Sequence, residues 1–249
     1  MLTLMEINER FERFARLERR PLFVLGSDEM PEGAVPLGRV DRCVARALLK
    51  SASDRSFPPM VVGEDVREKC CPGGLIWLGF ASLMPKLPFF LSTGTPEYRG
   101  GEAERLKPSP EAALRFLQAP GEITPPGRYI VIAGAGSVTD EAAVRSLLVI
   151  GTAEQVRNLG GLVHYGSEDI FRSVLMPAGA ACASMITYAA GMASRAPPGR
   201  RLHRSGGPHR QRLVPARCPQ FRRADRAGEA NGRGHALVLH GRKGGGGVP

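Results

Sequence analysis

Aromatic side chains make up only 6% of the 249 residues, and Trp77 is the single tryptophan. That is ordinary for one globular domain, but in residues 195–249 only Phe221 could offer a stacking platform to single-stranded nucleic acid. No apolar run approaches the roughly 20 residues of a membrane span. The longest, Leu75 to Met84, is cut off by Pro85, Lys86 and Pro88, so no membrane partner is expected. Glu6, Asn8, Glu9 and Arg10 arrive at once, which argues against a secretory leader and for a cytoplasmic location. Histidine is almost missing from the body of the chain, where His164 stands alone before residue 195. There is no His-Glu-x-x-His, no Gly-x-Ser-x-Gly and no glycine loop followed by Gly-Lys-Ser/Thr. Metalloprotease, nucleophile-elbow hydrolase and P-loop chemistry thus lose their signatures. Cysteines number five: Cys43, Cys70, Cys71, Cys182 and Cys218. In a chain this long they point to reduced thiols or metal ligands rather than a disulfide scaffold.

What is present divides unevenly. The chain is 43% hydrophobic, enough for a real core, and carries a net charge of +10. Residues 195–249 hold 13 Lys and Arg against only Asp225 and Glu229, and four of the five histidines. Of the chain's 34 basic and 24 acidic residues, 21 and 22 remain in residues 1–194, so the body is close to neutral. The organisation expected is a single α/β domain over 1–194 and a basic, Arg/Gly-rich, irregular and disordered tail over 195–249.

Three readings compete for that tail. It resembles an electrostatic nucleic-acid arm, but Phe221 is its only aromatic residue, and a nucleic-acid partner is not expected. It equally resembles a solvated linker. The third reading, the one favoured, is a translation that slipped by one base near Ala193 to Gly199. Back-translation with GC-rich codons, started one base later, turns Arg201-Leu202-His203-Arg204 into Gly-Cys-Thr-Gly. It turns Asn231 to Ala236 into a helix-like Met-Ala-Glu-Asp-Met-Arg.

Along the body, Thr3 and Glu6 form a capping-box pair ahead of Leu4, Ile7, Phe11, Phe14 and Leu17, one helical face. Leu22 to Leu25 reads as a short strand, residues 39–51 as a helix with Val40, Val44 and Leu48 in register, and Met60 to Val62 as a buried strand. Cys71-Pro72-Gly73-Gly74 reads as a tight turn, with Pro72 suited to a first helical turn. Ser109 and Pro110 start a helix to Leu117; Tyr129 to Ala133 and Leu147 to Ile150 are buried strands. Thr152 and Gln155 cap a helix expected to reach about Leu159. The fold class that follows is a layered α/β domain with a mixed β-sheet and flanking helices.

Gly134-Ala135-Gly136 follows a strand, as a dinucleotide fingerprint should, but Thr139 stands where a third small residue belongs. A turn is the better reading. Acid/base chemistry would fall to Glu64, Asp65, Glu68 or Glu168, whose spacing marks no pair. The concentration of chemistry is in the thiols. Cys43 is placed on the helix, Cys70 and Cys71 at the proline-glycine turn, and Cys182 in the small-residue segment Gly179 to Ser184. Their separations match no compact zinc signature, and buried structural cysteine is an open alternative. Thiolates at a glycine turn are nonetheless suited to metal or cluster ligation. With the cysteine of the shifted tail, Cys43, Cys71 and Cys182 would number four thiols, as a four-iron cluster uses.

Met5-Glu6-Ile7-Asn8, Arg19-Arg20-Pro21-Leu22, Arg42-Cys43, Cys71-Pro72-Gly73-Gly74, Lys107 to Ala112 and Val149-Ile150-Gly151-Thr152-Ala153-Glu154-Gln155 together resemble the uncharacterised prokaryotic "domain of unknown function 169" family. The resemblance covers roughly residues 5 to 190. It implies a shared fold and a shared cysteine site at Cys43, Cys71 and Cys182, and it implies no activity. The function expected is a cysteine-ligated metal or iron–sulfur site, with a small molecule or a redox partner. The alternative is a non-catalytic ligand-binding domain using the turns at Gly73/Gly74, taken as cofactor-binding, and at Gly151/Thr152.

Overall fold

The structure is a computed structural model that describes residues 2–165, 179–194, 212–216 and 235–240. Its first helix, α1 (Leu4–Ala15), begins on the reciprocal Thr3 and Glu6 capping box and ends where Arg16 turns left-handed. Leu17 thus leaves the helix, yet is buried beside it. The chain then enters β1 (Leu22–Ser27). After a turn come β2 (Val35–Pro36), the single turn α2 (Leu37–Val40) and α3 (Val44–Ser53).

The expected helix over 39–51 is therefore two pieces, and Cys43 is not inside a helix but is the N-cap residue of α3. Asp41 makes the break. Its backbone is extended, and its carboxylate takes up the Cys43 N–H at 3.0 Å, Lys50 Nζ at 2.9 Å and Arg46 Nε at 3.3 Å. A side chain that pairs with the backbone two residues on offers the chain an alternative to helix.

Next follow β3 (Met60–Gly63), α4 (Pro72–Leu78), the turn α5 (Leu87–Phe90) and α6 (Pro110–Gln118), which starts on Ser109 as expected. The Cys-Pro-Gly-Gly segment is not a free tight turn. It is the cap and first turn of α4, with Pro72 opening the helix and left-handed Gly79 closing it. Strands β4 (Tyr129–Ala133) and β5 (Val144–Gly151) precede α7 (Ala153–Tyr165), which runs beyond Leu159. Its start is the Thr152 and Gln155 pair, with bonds of 2.8 and 3.3 Å in the two directions. A helix from Ala181 then passes through a π-helical turn, Ala183–Thr187, into α8 (Tyr188–Ser194).

The sheet is mixed, in the order β2-β3-β4-β1-β5-β7-β6. Only β2 and β3 pair in parallel; the other neighbours are antiparallel. Its last two strands, β6 (Arg212–Ala216) and β7 (His235–His240), come from the tail. Two short segments of the tail expected to be irregular are thus strands, because β5 offers an open edge to which β7 can pair. The rest of the tail, with Cys218 and Phe221, lies outside the described residues.

Alternate side chains of the central strands feed two separate cores. Leu22, Val24, Met60, Val62, Ile130, Ile132, Leu148 and Ile150 face a thick layer made by α2 to α6, the π-helical turn and α8. Phe23, Leu25, Val61, Val131, Leu147 and Val149 face α1 and α7. Arg20 locks the edge of this arrangement. Almost wholly buried, it donates to the carbonyls of Ser51, Arg55 and Phe57 and to Ser51 Oγ. A Cβ on Gly134 would lie 2.6 Å from its Nη1. The Gly-Ala-Gly turn is therefore glycine for packing, and a three-residue 3₁₀ turn follows at Ala135–Ser137.

Two stability measurements follow. Arg20→Met strands several buried acceptors and should lower the unfolding free energy in urea by about 3 kcal/mol; a loss under half that would mean the carbonyls find water. Asp41 gives a pH signature. Burial alone would raise its carboxyl, but the Cys43 amide, Lys50 and Arg46 outweigh that and hold it below the ordinary value. A depressed folded value stabilises above the unfolded value, about 3.9. Asp41→Asn should therefore be less stable than the parent at neutral pH, the gap closing as pH falls through that range. A gap independent of pH would contradict this role.

Candidate thiol site

Two helices on the thick side of the sheet begin on cysteine. Cys43 stands at the N-cap position of α3 without a side-chain capping bond, Cys71 caps α4 with its sulfur, and the backbone joins the two starts, because the Cys71 N–H donates to the Arg42 carbonyl at 2.9 Å. Cys71 Sγ accepts the Gly74 N–H at 3.2 Å and is also acted on by the Val44 amide. Gly74 explains itself here: a Cβ would sit 2.9 Å from both Cys71 Sγ and Val44 Cγ2, so only glycine lets α4 start this close to α3. Gly73 has open space where its Cβ would be. Nothing in the packing demands glycine at that position.

Cys182 reaches the same neighbourhood from far along the chain. It is buried, stands immediately before the π-helical turn, and interacts electrostatically with both Cys71 and Cys43. The turn is tied to α4 by Thr187 Oγ1, which donates to the Trp77 carbonyl at 2.7 Å. Tyr188 follows, its ring edge-on to Trp77 at 6.0 Å. Cys70 also lies in this core, and feels Cys71 and Cys43.

Burial dominates the acid–base state of these groups. It pushes Cys182 far up, Cys70 up to about 11 and Cys71 above its ordinary value, and the neighbouring thiols add to each rise. The Gly74 and Val44 amides oppose it at Cys71, and the Ala183 amide opposes it at Cys182. Tyr188 is raised to about 12 by burial and by the nearby Cys182. Thiols raised in this way are poor nucleophiles at neutral pH. Among the described residues, no group of three or more His, Cys, Asp or Glu side chains stands together at metal-holding spacing.

The other residues singled out by sequence are placed elsewhere. Gly151 abuts Gln155 and Leu17, on the α1 and α7 side. The Gly73/Gly74 and Gly151/Thr152 turns therefore serve different layers and do not form one site. Thr152 instead borders a groove of about 660 Å³ between α1 and α7, whose walls include Phe11, Phe14 and Leu162. Asp65 is held at the surface by Tyr129 Oη at 2.7 Å and Arg128 Nη2 at 3.2 Å, while Glu64 and Glu68 are exposed. Glu168 lies outside the described residues. Sequence reasoning missed Asp41, Thr187 and Tyr188. Asp41, two residues before a cysteine, carried a readable turn signal; Thr187 and Tyr188 carried none.

No helix among the described residues is long and apolar enough to cross a membrane. No curated protein and no solved structure matches the chain. A family model does match, over residues 10–197, and its description is an uncharacterised ArCR family, domain of unknown function 169. With that span covering most of the sequence and both helix-capping cysteines, the chain belongs to the domain of unknown function 169 family.

Proposed function

We propose that this protein holds a metal ion or an iron–sulfur cluster on the thiolates of Cys43, Cys71 and Cys182, beside the backbone opened by Gly73 and Gly74. The observation that carries the reading is the pair of cysteine caps. Where a side chain other than cysteine caps a helical turn among the described residues it does so with oxygen, as at Thr3, Ser109 and Asp140, while Pro36, Lys86, Tyr98 and Gly134 precede turns that have no side-chain cap. Serine, threonine and aspartate are the effective caps. Cysteine stands at two adjoining starts, and a third thiol acts on them from more than 100 residues away, so sulfur is concentrated where oxygen would serve as a better cap.

The electrostatics support the same reading. The groups that act on Cys71 and Cys182 are backbone amides and other thiols. A bound cation would supply the missing positive charge and convert the thiols to thiolates. Soft sulfur donors select zinc or iron–sulfur clusters. Zinc there would cross-link the thick layer, and a cluster would carry single electrons. The chain's own part is to bring the sulfurs together by side-chain rotation at the two caps, to screen them from water, and to present the Gly74 amide to Cys71. A cysteine from the one-base-shifted tail would complete a four-thiolate set.

The groove between α1 and α7 favours a second reading, non-catalytic binding of a small apolar ligand, since exposed Phe14 and Leu162 border it.

Anaerobic purification with iron and zinc supplied, followed by metal and sulfide analysis, separates the two. We expect metal in the parent chain and its loss in Cys71→Ser. The metal-free melting temperature of that variant should hold or rise, because serine is a sound cap. Metal absent from the parent, together with thermal stabilisation by apolar ligands that Phe14→Glu abolishes, would favour the groove instead. The chain with the shifted tail should retain metal against a chelator longer than the chain as given; equal retention would count against a fourth thiolate.

A further inference from the structure

The groove between α1 and α7 is graded along its length. Where α7 begins it is bordered by Thr152, Gln155 and Asn158, and farther along by Leu159, Leu162 and Val163, with Phe11 and Phe14 of α1 on the other wall. Phe14 and Leu162 stand largely exposed, so the apolar end is open to solvent. The polar end is nearly all committed within the chain. Thr152 and Gln155 cap each other, Gln155 Nε2 donates to the Arg16 carbonyl at 2.6 Å, and Asn158 Oδ1 accepts from Arg157 Nη2 at 3.1 Å. Arg16 borders the same groove, and its guanidinium makes no hydrogen bond or ion pair among the described residues. Its backbone is left-handed, at φ 51°, in the position just past α1 where glycine is the usual residue. A side chain there carries a strain that glycine avoids, and what it adds to the groove is an unmatched cation.

We propose that this groove binds a free long-chain carboxylate, the alkyl chain lying along α7 against Phe14 and Leu162 and the carboxylate paired with Arg16. The inference rests on the reading of the groove as a ligand site and is independent of the thiols. The sign of the head group follows from the charges at the walls. Arg10 and Arg16 are both there, while the acid among the lining residues, Glu154, has Arg157 at 4.0 Å to answer it. A guanidinium takes a carboxylate through two parallel charge-assisted bonds. The tail follows from the shape. A space of about 660 Å³ is in the range of small-ligand sites. From Thr152 to Val163 the helix rises roughly 16 Å, the reach of an extended chain of about twelve carbons. Burial of the chain supplies affinity, and Arg16 selects the head.

Equilibrium dialysis of the full chain against dodecanoate and against dodecanol, each below its aggregation concentration, tests this in the parent, Arg16→Gly and Phe14→Glu. The parent should bind dodecanoate about tenfold more tightly than dodecanol. Arg16→Gly should erase that preference, keep the parent's affinity for dodecanol and melt no lower than the parent, since glycine relaxes the left-handed backbone and leaves the carbonyl to Gln155. Phe14→Glu should lose both ligands. Equal affinity of the parent for the two, or a preference that survives in Arg16→Gly, would overturn the carboxylate assignment and leave the groove reading standing. An Arg16→Gly chain that melts several degrees lower would show the guanidinium already engaged in the fold, and would overturn the assignment too. Binding that Phe14→Glu leaves intact would place the ligand elsewhere. Neither ligand bound by the parent would overturn the groove reading and this inference with it, and a dimer that Phe14→Glu splits would then assign the face to a second copy of the chain.

Discussion

The central strands have no side that faces water. In β1, β4 and β5 successive side chains enter different cores, with Leu22, Ile130, Ile132 and Leu148 fully buried on one face and Phe23 and Val149 on the other. Each such side chain is worth about 1.5–3 kcal/mol of transfer free energy, so the sheet is stable only if both faces are roofed. Two helices, α1 and α7, suffice on one face. The other is roofed by a crowd of short elements, and short elements mean many helix ends packed close together. The site is a consequence of that crowding: the starts of α3 and α4 and the π-helical turn before α8 must meet beneath one roof.

How closely they meet is set by a few local choices. Asp41 stops α2 and leaves Cys43 at the head of α3. Pro72 starts α4 one residue after Cys71, and the missing side chain of Gly74 lets that start press on Val44. Thr187 fixes the π-helical turn to the backbone of Trp77. Some of these interactions are local and the Thr187 bond spans more than 100 residues; together they bring thiols from three distant parts of the chain into one core. The cost is visible in the chemistry, since burial and mutual repulsion drive the sulfurs toward their neutral form. Neutral sulfurs in such a setting pack as part of the core.

Much of the fold was legible because its signals are local. The Thr3/Glu6 and Thr152/Gln155 pairs, the Ser109-Pro110 start and the unbroken apolar runs at Tyr129 to Ala133 and Leu147 to Ile150 each fix an element without help from the rest of the chain. The helix over 39–51 failed where a side chain outcompeted periodicity: Val40 and Val44 keep a helical spacing, but Asp41 between them binds the backbone of Cys43. The tail strands were not legible either, because β7 is a strand through the edge of β5 rather than through an alternating pattern of its own. At the site, the cysteines were visible as residue types and their convergence was not, for nothing in the spacing of Cys43, Cys71 and Cys182 encodes that two are helix caps. Tyr188 was invisible for the same reason. Its buried hydroxyl has no hydrogen-bond partner among the described residues, a property that exists only once the chain is folded.

The central claim is that three of the four described cysteines act as one unit. Mass-mapped alkylation of anaerobically purified protein, before and after treatment with a chelator, tests it directly. The account predicts that Cys43, Cys71 and Cys182 are protected together and released together by the chelator, while Cys70 keeps the same reactivity throughout. Reactivities that follow burial alone, with half-buried Cys43 and Cys71 modified before Cys182 whether or not chelator is present, would contradict it.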